Sequence, residues 1–396
     1  MATNAKNIAE LLNTDTTVAV GDIADGSVTT AKLAADSVTT AKILDGAVTQ
    51  VKAPLVSGSG QNLVINGGMQ VDQRNVTMQF SASSNYKCDR WYCGVNAGGT
   101  FAFTQDSDSP DGFAASLKIA CTTADTTLDA GSYGYIMHKL EGNALQSMNS
   151  SNGIVEHTIS FYTKSSKTGT YTLNLRDEDN AQGNSKTFTI STADTWERHT
   201  LTFPAHSSGT LDNDNNSSYR LFWFFAAGTD LTSGTFYDGT WGAFTSANRV
   251  SSSNVNLGDN TSNNFFITGI KMETGGTATD FNHEAYGDVQ QKCRRYYMKY
   301  EGDLGICGTG HQTDADDCDV PTYPPVEMRA RPTVTKSSVN IIHSGGTTTD
   351  TTINNIYKVG NCIGLNFDSA TTPFGTDQAA SMRIASGGYL AYDSEL

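Results

Sequence analysis

The chain has 396 residues, of which 17% are charged and 37% hydrophobic, against roughly a quarter charged in an ordinary globular domain. Small polar residues fill the gap: roughly one residue in eight is threonine, with 38 glycines behind it. Strand formers alternating with turn formers predict an all-β protein, and a net charge of −15 with no basic cluster in the sequence argues against nucleic acid as a partner.

The opening, Met1-Ala2-Thr3-Asn4-Ala5-Lys6, lacks the apolar core of a signal peptide, and no apolar run is of membrane-spanning length. Neither ordinary export nor membrane insertion is expected. Ile8, Leu11 and Leu12 mark one face of a short helix, followed by a polar extended stretch over 13–20. Residues 23–54 then repeat. Asp25-Gly26-Ser27-Val28-Thr29-Thr30-Ala31-Lys32-Leu33 is followed ten residues on by Asp36-Ser37-Val38-Thr39-Thr40-Ala41-Lys42-Ile43, and Asp45-Gly46-Ala47-Val48 continues the register. Ile23, Val28, Leu33, Val38, Ile43 and Val48 fall every fifth residue. That spacing fits neither the helix nor the strand period, so one copy alone leaves its apolar residues in water. Several copies wound around an axis bury them against one another, which predicts a threefold stalk. A disordered Thr/Ala/Asp linker is the alternative, although a linker has no reason to keep its aliphatic residues in register.

Residues 55–61 read as a Gly/Ser linker. From 62 to 281 short alternating segments separated by turn residues predict strands at 63–65, 91–95, 100–104, 115–120, 135–140, 157–163, 171–176, 186–190, 197–203, 219–226 and 265–271. So many strands without long helices predict a jelly-roll-like β-sandwich. Residues 282–294 form a connector carrying a brief helix, and 295–396 a smaller C-terminal β domain, with Pro321, Pro324, Pro325 and Pro332 between its strands. The seven cysteines have no metal-ligand spacing and read as free thiols of a reducing cytoplasm, with a Cys307–Cys318 pair left open.

The decapeptide repeat resembles the neck of bacteriophage tail fibres. Asn62-Leu63-Val64-Ile65-Asn66-Gly67-Gly68-Met69, followed by Asp89-Arg90-Trp91, resembles the opening of a phage-fibre sandwich module. Leu140-Glu141-Gly142, Ile159-Ser160-Phe161-Tyr162, Gly269-Ile270-Lys271-Met272-Glu273, Thr277-Ala278-Thr279-Asp280-Phe281, Cys293-Arg294-Arg295-Tyr296-Tyr297 and Met328-Arg329-Ala330-Arg331-Pro332-Thr333 extend the likeness over nearly the whole chain. Lys271-Met272-Glu273 stands where Gln-Leu-Glu is usual, and Arg294 where glutamine is common. The resemblance implies a homotrimeric virion fibre, made in the host cytoplasm. Residues 1–22, with Ile8, Leu11 and Leu12, would dock on tail adaptor or nozzle proteins, and the far end would meet host surface polysaccharide or lipopolysaccharide.

Sugar sites need aromatic faces and short polar partners. Tyr237, Asp238 and Trp241 in the 235–246 loop, and Tyr86, Trp91 and Tyr92, are the candidates, with Trp91 and Trp223 also read as core. Acidic runs at 106–111, 177–179, 212–216 and 314–317 read as solvated turns, with a structural calcium as the alternative and no other cofactor expected. Glu141, Glu156, Glu197 and Glu273 show no paired spacing, the histidines no metal spacing, and Ser57-Gly58-Ser59-Gly60 is no nucleophile elbow. The expectation is therefore a glycan-binding fibre and no enzyme; a polysaccharide depolymerase and a ligand-free tail adaptor are the alternatives. A negatively charged protein gains no long-range attraction to an anionic envelope. With screening beyond about 8 Å, short-range contacts must hold the ligand, and three copies would add avidity.

Overall fold

Alternating strand segments joined by Gly, Asn and Asp turns give the chain its layers. The computed structural model describes residues 60–396 apart from 208, 303–304, 350, 370–373 and 376, all within one compact unit, Gly58–Leu396. The expected tail-attachment residues Ile8, Leu11 and Leu12, and the stalk register Ile23, Val28, Leu33, Val38, Ile43 and Val48, lie outside the described residues.

The larger part is built from β1 (Met78–Tyr86), β2 (Trp91–Asp106), β3 (Ser116–Thr123), β4 (Tyr133–Glu141), β5 (Asn149–Ser150), β6 (Gly153–Ile154), β7 (His157–Ser165), β8 (Gly169–Asp177), β9 (Gln182–Ile190), β10 (Glu197–Phe203), β11 (Ser217–Ala227), a single turn α1 (Thr229–Thr232), β12 (Gly242–Ala243) and β13 (Asn264–Thr274). The strands pair in the order β10-β7-β13-β3-β2-β4-β11-β8-β9-β12, with β1 on β2. All-β architecture is thus what the residues build.

β2 is the joint between the two layers. Its first half pairs with β4, from Trp91↔His138 to Asn96↔Tyr133, and its second half with β3, from Thr100↔Thr123 to Asp106↔Ser116. Gly98 and Gly99, at φ 84° and 109°, carry the bend between the halves in a conformation that other residues rarely adopt. Two separate strands, 91–95 and 100–104, are expected from sequence; the structure joins them, because glycine bends a strand without ending its pairing. The layers close on aromatic rings. Phe161 on β7 meets Trp223 on β11 at 5.6 Å, and Tyr171 on β8 meets Phe265 on β13 at 5.3 Å. Truncating a buried ring of this kind costs about 3–5 kcal/mol.

Residues 63–65 are not a strand. Asn62 takes over their local bonding: its side chain donates to Ile270 O (3.0 Å) and accepts from Val64 N and Met272 N. Asn66 then turns at φ 57°, its side chain bonding Val71 and Asp89 backbone while its carbonyl accepts the Trp91 indole N–H at 2.9 Å. A Cβ on Gly67 would sit 2.0 Å from Ile270 O, so only glycine fits that approach. Lys271, fully buried, pairs with Glu273 at 3.3 Å and donates to Asp280 O at 2.8 Å, while Glu273 accepts from Thr279 N and Oγ1. Lys271 and Glu273 thereby tie the 277–281 segment to β13.

The C-terminal part follows α2 (Tyr286–Arg294). Its strands are β14 (Tyr297–Glu301), β15 (Gly305–Gln312), β16 (Asp317–Thr322), β17 (Thr333–His343), β18 (Gly346–Thr348), β19 (Thr351–Val359), β20 (Cys362–Ser369) and β21 (Ala379–Asp393). They pair in the order β18-β17-β21-β15-β16-β20-β19, with β14 on β21, over their own core of Val320, Ile341, Leu365, Phe367 and Met382. Pro321, expected between strands, lies inside β16 opposite Gly364. All seven cysteines are free thiols, Cys307 and Cys318 included.

The two parts are joined by a buried ionic cluster. Arg90 ion-pairs with Glu395, donates to Lys139 O at 2.6 Å and stacks 3.5 Å over the Tyr296 ring. Arg74 lies 3.6 Å from Asp89, 3.3 Å from Asp393 and 3.6 Å from Glu395, over the Tyr297 ring.

Candidate functional site

The layer β2-β4-β11-β8-β9 has two faces, and side chains alternate between them. Tyr219, Leu221 and Trp223 of β11 face the sandwich core. Phe222 and Phe224 face outward, yet they too are buried, in a second cluster with Met137, Leu231 and Val250. Their cover is the segment between β11 and β13, which folds back over the sheet. Val250 N donates to Leu231 O (3.0 Å), Ser185 Oγ donates to Arg249 O (2.7 Å), and β12 pairs with the edge of β9.

Beside that cover the outer face is open, and a cavity of about 390 Å³ lies on it, within the usual size of small-ligand sites. Strand register sets its floor in rows. Tyr92, Met137, Phe222 and Asn174 stand opposite one another across β2, β4, β11 and β8, and Tyr135 and Phe224 form the next row. Tyr133 stacks on Tyr135 at 5.3 Å, and Tyr135 packs edge-on against Phe222 at 5.2 Å and Phe224 at 5.7 Å. Gly94 makes room, since a Cβ there would be 2.6 Å from the Tyr135 ring. Burial raises the Tyr135 pKa, so its hydroxyl stays protonated, able both to donate and to accept.

The row on the other side is cationic. Lys139, Arg220 and Arg176 stand directly opposite one another on β4, β11 and β8. Glu178 accepts from Arg220 Nε at 2.5 Å and lies 3.5 Å from Arg176. Arg249 reaches in from the covering segment. Its guanidinium lies 4.4 Å over Phe222, Nε donates to Asn174 Oδ1 at 3.0 Å, and Nη2 is enclosed without a hydrogen-bond partner among the described residues. Burial, with Arg176 and Arg220 nearby, lowers the Arg249 pKa to about 10 against the pull of Tyr135 and Tyr237. Burial and then Arg220 bring Lys139 down to about 8. No acidic residue lines the cavity among the described residues.

Of the residues singled out from sequence, Tyr92 lines this cavity. Trp91 is fully buried, and its neighbours are His138 and Trp223. Tyr86 is buried with its hydroxyl on Leu396 O at 2.8 Å. The 235–246 loop candidates are placed apart from it. The Tyr237 hydroxyl donates to Ala243 O and accepts from Thr245 N, at 2.9 and 2.8 Å, which pins the loop. Trp241 donates its indole N–H to Pro204 O at 2.8 Å and packs against His206 at 5.3 Å. Asp238 is exposed at φ 44°. Missed were Tyr133, Tyr135, Phe222, Phe224, Lys139, Arg176, Arg220 and Arg249.

The run at 106–111 is engaged with structure, whereas Asp212, Asn213, Asn215 and Asn216 are exposed turn residues, as expected. Asp106 pairs with Lys118 at 3.1 Å, Asp108 with Lys164, and Trp196 donates to Asp108 at 3.1 Å. Glu141 takes Arg295 at 3.0 Å. Asp314, Asp316 and Asp317, the first two exposed, bring carboxylate oxygens within 4.8 Å of one another, which is where the alternative reading of these runs, a structural calcium, has donors.

No protein-family model matches the chain, and no curated protein sequence matches it. Among solved structures, the active domain of tailspike protein 4 of bacteriophage CBA120 is 14% identical over 54% of this chain, with a TM-score of 0.28. The chain spans 21% of that tailspike's length. The module TmCBM61, solved with β-1,4-galactotriose, is 8% identical over 55% of this chain and 100% of its own, with a TM-score of 0.27. A family 11 carbohydrate-binding module of Clostridium thermocellum is 13% identical over 50% of this chain and 99% of its own, with a TM-score of 0.26. Likeness at this level adds nothing to what strand pairing and the cavity already establish.

Proposed function

We propose that the chain binds a carbohydrate in the groove on the outer face of β2-β4-β11-β8, as the glycan-contacting part of a homotrimeric phage tail fibre. The observation that carries the binding reading is the groove floor. Tyr92, Tyr133 and Tyr135 are half-buried there, offering flat apolar faces beside hydroxyl and guanidinium donors, which is the chemistry that grips a sugar ring. The fibre setting is supported by the repeat at 23–54 and by the ordered motifs from Asn62 to Thr333.

The test is titration calorimetry of the native protein with extracted host-envelope polysaccharide. Tyr135→Ala should weaken binding by about tenfold or more, as truncating an aromatic anchor does. Unchanged affinity would remove the groove from consideration. The same incubation assayed for new reducing ends distinguishes a depolymerase, and native mass measurement distinguishes the trimer, since a stable monomer at micromolar concentration would sink the fibre reading.

A further inference from the structure

We infer that the groove selects an acidic glycan, one carrying a carboxylate on its repeating sugars, over a neutral one. The inference rests on the carbohydrate reading above and names the ligand class of that same groove.

Like charges placed directly opposite on neighbouring strands destabilise a sheet. Lys139, Arg220 and Arg176 occupy three such positions in one row, and Glu178 is the carboxylate that touches the two arginines. Arg249 adds a fourth cation from above, and its Nη2 has no hydrogen-bond partner among the described residues. A protein with net charge −15 has abundant acid for neutralising such a row, and elsewhere does so: Lys118 has Asp106, Lys164 has Asp108 and Lys167 has Asp259. In the groove the guanidinium groups outnumber the carboxylate, Arg249 lies over the Phe222 and Phe224 rings, and the Lys139 ammonium, which donates to Leu396 O, stands at the edge beside Tyr92. An anion arriving there meets planar guanidinium donors suited to bidentate carboxylate bonding.

The layout also distinguishes between anions. Strands lie about 4.8 Å apart, so the row from Lys139 to Arg176 spans about 10 Å. A line of single charges beside stacking tyrosines matches a polymer with acid groups spaced along it better than one compact phosphate. The unfavourable net charge limits long-range attraction, and this local row restores attraction where the ligand sits.

The experiment measures binding of polygalacturonate and polysialate, and of each polymer after chemical reduction of its carboxyl groups, to the whole chain at one fixed salt concentration. At least one acid polymer should bind about tenfold or more tightly than its reduced form, the worth of one charge-assisted hydrogen bond. Arg220→Gln should cut acid-polymer affinity by about fivefold to tenfold and leave the reduced polymer nearly unchanged, whereas Tyr135→Ala should weaken both. Arg249→Gln is the second variant; should it fail to fold, Arg220→Gln, whose side chain is partly exposed at 29%, still decides. Equal binding of acid and reduced polymers, or no effect of Arg220→Gln, overturns the acid preference while the sugar reading stands. Failure of all four polymers together with a panel of neutral host polysaccharides overturns the sugar reading itself.

Discussion

Two arginine clusters lie on either side of β4, and they are built for opposite ends. At the junction, Arg74 and Arg90 are buried among Asp89, Asp393 and Glu395. In the groove, Arg176 and Arg220 share Glu178, while Arg249 and Lys139 line the same cavity beside them. Lys139 belongs to both: its carbonyl accepts from Arg90 and its ammonium donates to Leu396 O, while its side chain also lines the groove. The pKa directions record the difference. Burial works against the charge on Arg74 and Arg90, but Glu395 pushes both upward, joined by Asp89 and Asp393 at Arg74 and by Tyr296 and Tyr86 at Arg90. Burial of Arg249 meets no carboxylate and brings it down. An arginine matched by acids inside the protein holds the fold; one left unmatched in a cavity is available to a ligand.

The strongest way to break that contrast is Arg90→Gln. Arg90 is 1% exposed, and its removal leaves Glu395, itself buried, without its closest cation. Breaking a buried pair by removing one partner costs about 3–5 kcal/mol. Urea unfolding should show that loss, or a separate early transition of the C-terminal part, while sugar affinity of the folded variant stays at the native value. A variant as stable as the native chain would mean that the junction cluster does not hold the parts together.

The contrast also explains what the sequence could and could not reveal. Strands β7, β10 and β11 were legible because alternation and turn residues mark them directly. Asp89-Arg90-Trp91 and Asn66-Gly67-Gly68-Met69 stood out as motifs, and the structure shows why such residues are particular: they make the junction and its tight turns. The groove was hidden in plain residues. Leu221-Phe222-Trp223-Phe224-Phe225 reads as core, but a strand apolar at both parities has both faces covered. Phe222 and Phe224 therefore belong with Arg220 on the outer face, and Tyr133, Tyr135, Met137 and Lys139 share one parity on β4. That much could have been found. Arg249 could not, because its place depends on how residues 228–250 fold back over a sheet formed by distant strands. Tyr237 and Trp241, conspicuous among glycines, have their polar atoms occupied by that same segment and by Pro204.

A smaller effect tests the shared residue. Lys139 is brought down to about 8 by burial and by Arg220 and Arg90, against Glu178 and Glu395, and it sits 5.5 Å from the Tyr92 ring centroid. A lowered lysine is charged below its pKa, so raising the pH from 7 to 9 removes its charge while the neighbouring arginines keep theirs. Acid-polymer affinity should fall by about fivefold over that interval, the equivalent of an ion pair of about 1 kcal/mol. Lys139→Gln should bind more weakly at pH 7 and show a flat profile. A native profile already flat from pH 7 to 9 would place the Lys139 charge outside the ligand's reach.

The smallest effect is the most diagnostic. Arg220→Gln removes a partly exposed ion pair with Glu178, the side chains being 29% and 15% exposed, worth about 1 kcal/mol. The same change removes two like-charge neighbours across the sheet, Lys139 and Arg176, a repulsion of similar size. Glu178 keeps Arg176 at 3.5 Å and its backbone bond to Ser218 O. The two terms nearly cancel, so the unfolding midpoint should move by less than the equivalent of about 0.5 kcal/mol, in either direction. A loss as large as that of Arg90→Gln would show that the groove arginines also hold the fold, and the distinction between the clusters would disappear. A stability unchanged within that limit, with acid-polymer binding reduced, assigns the row of cations to the ligand.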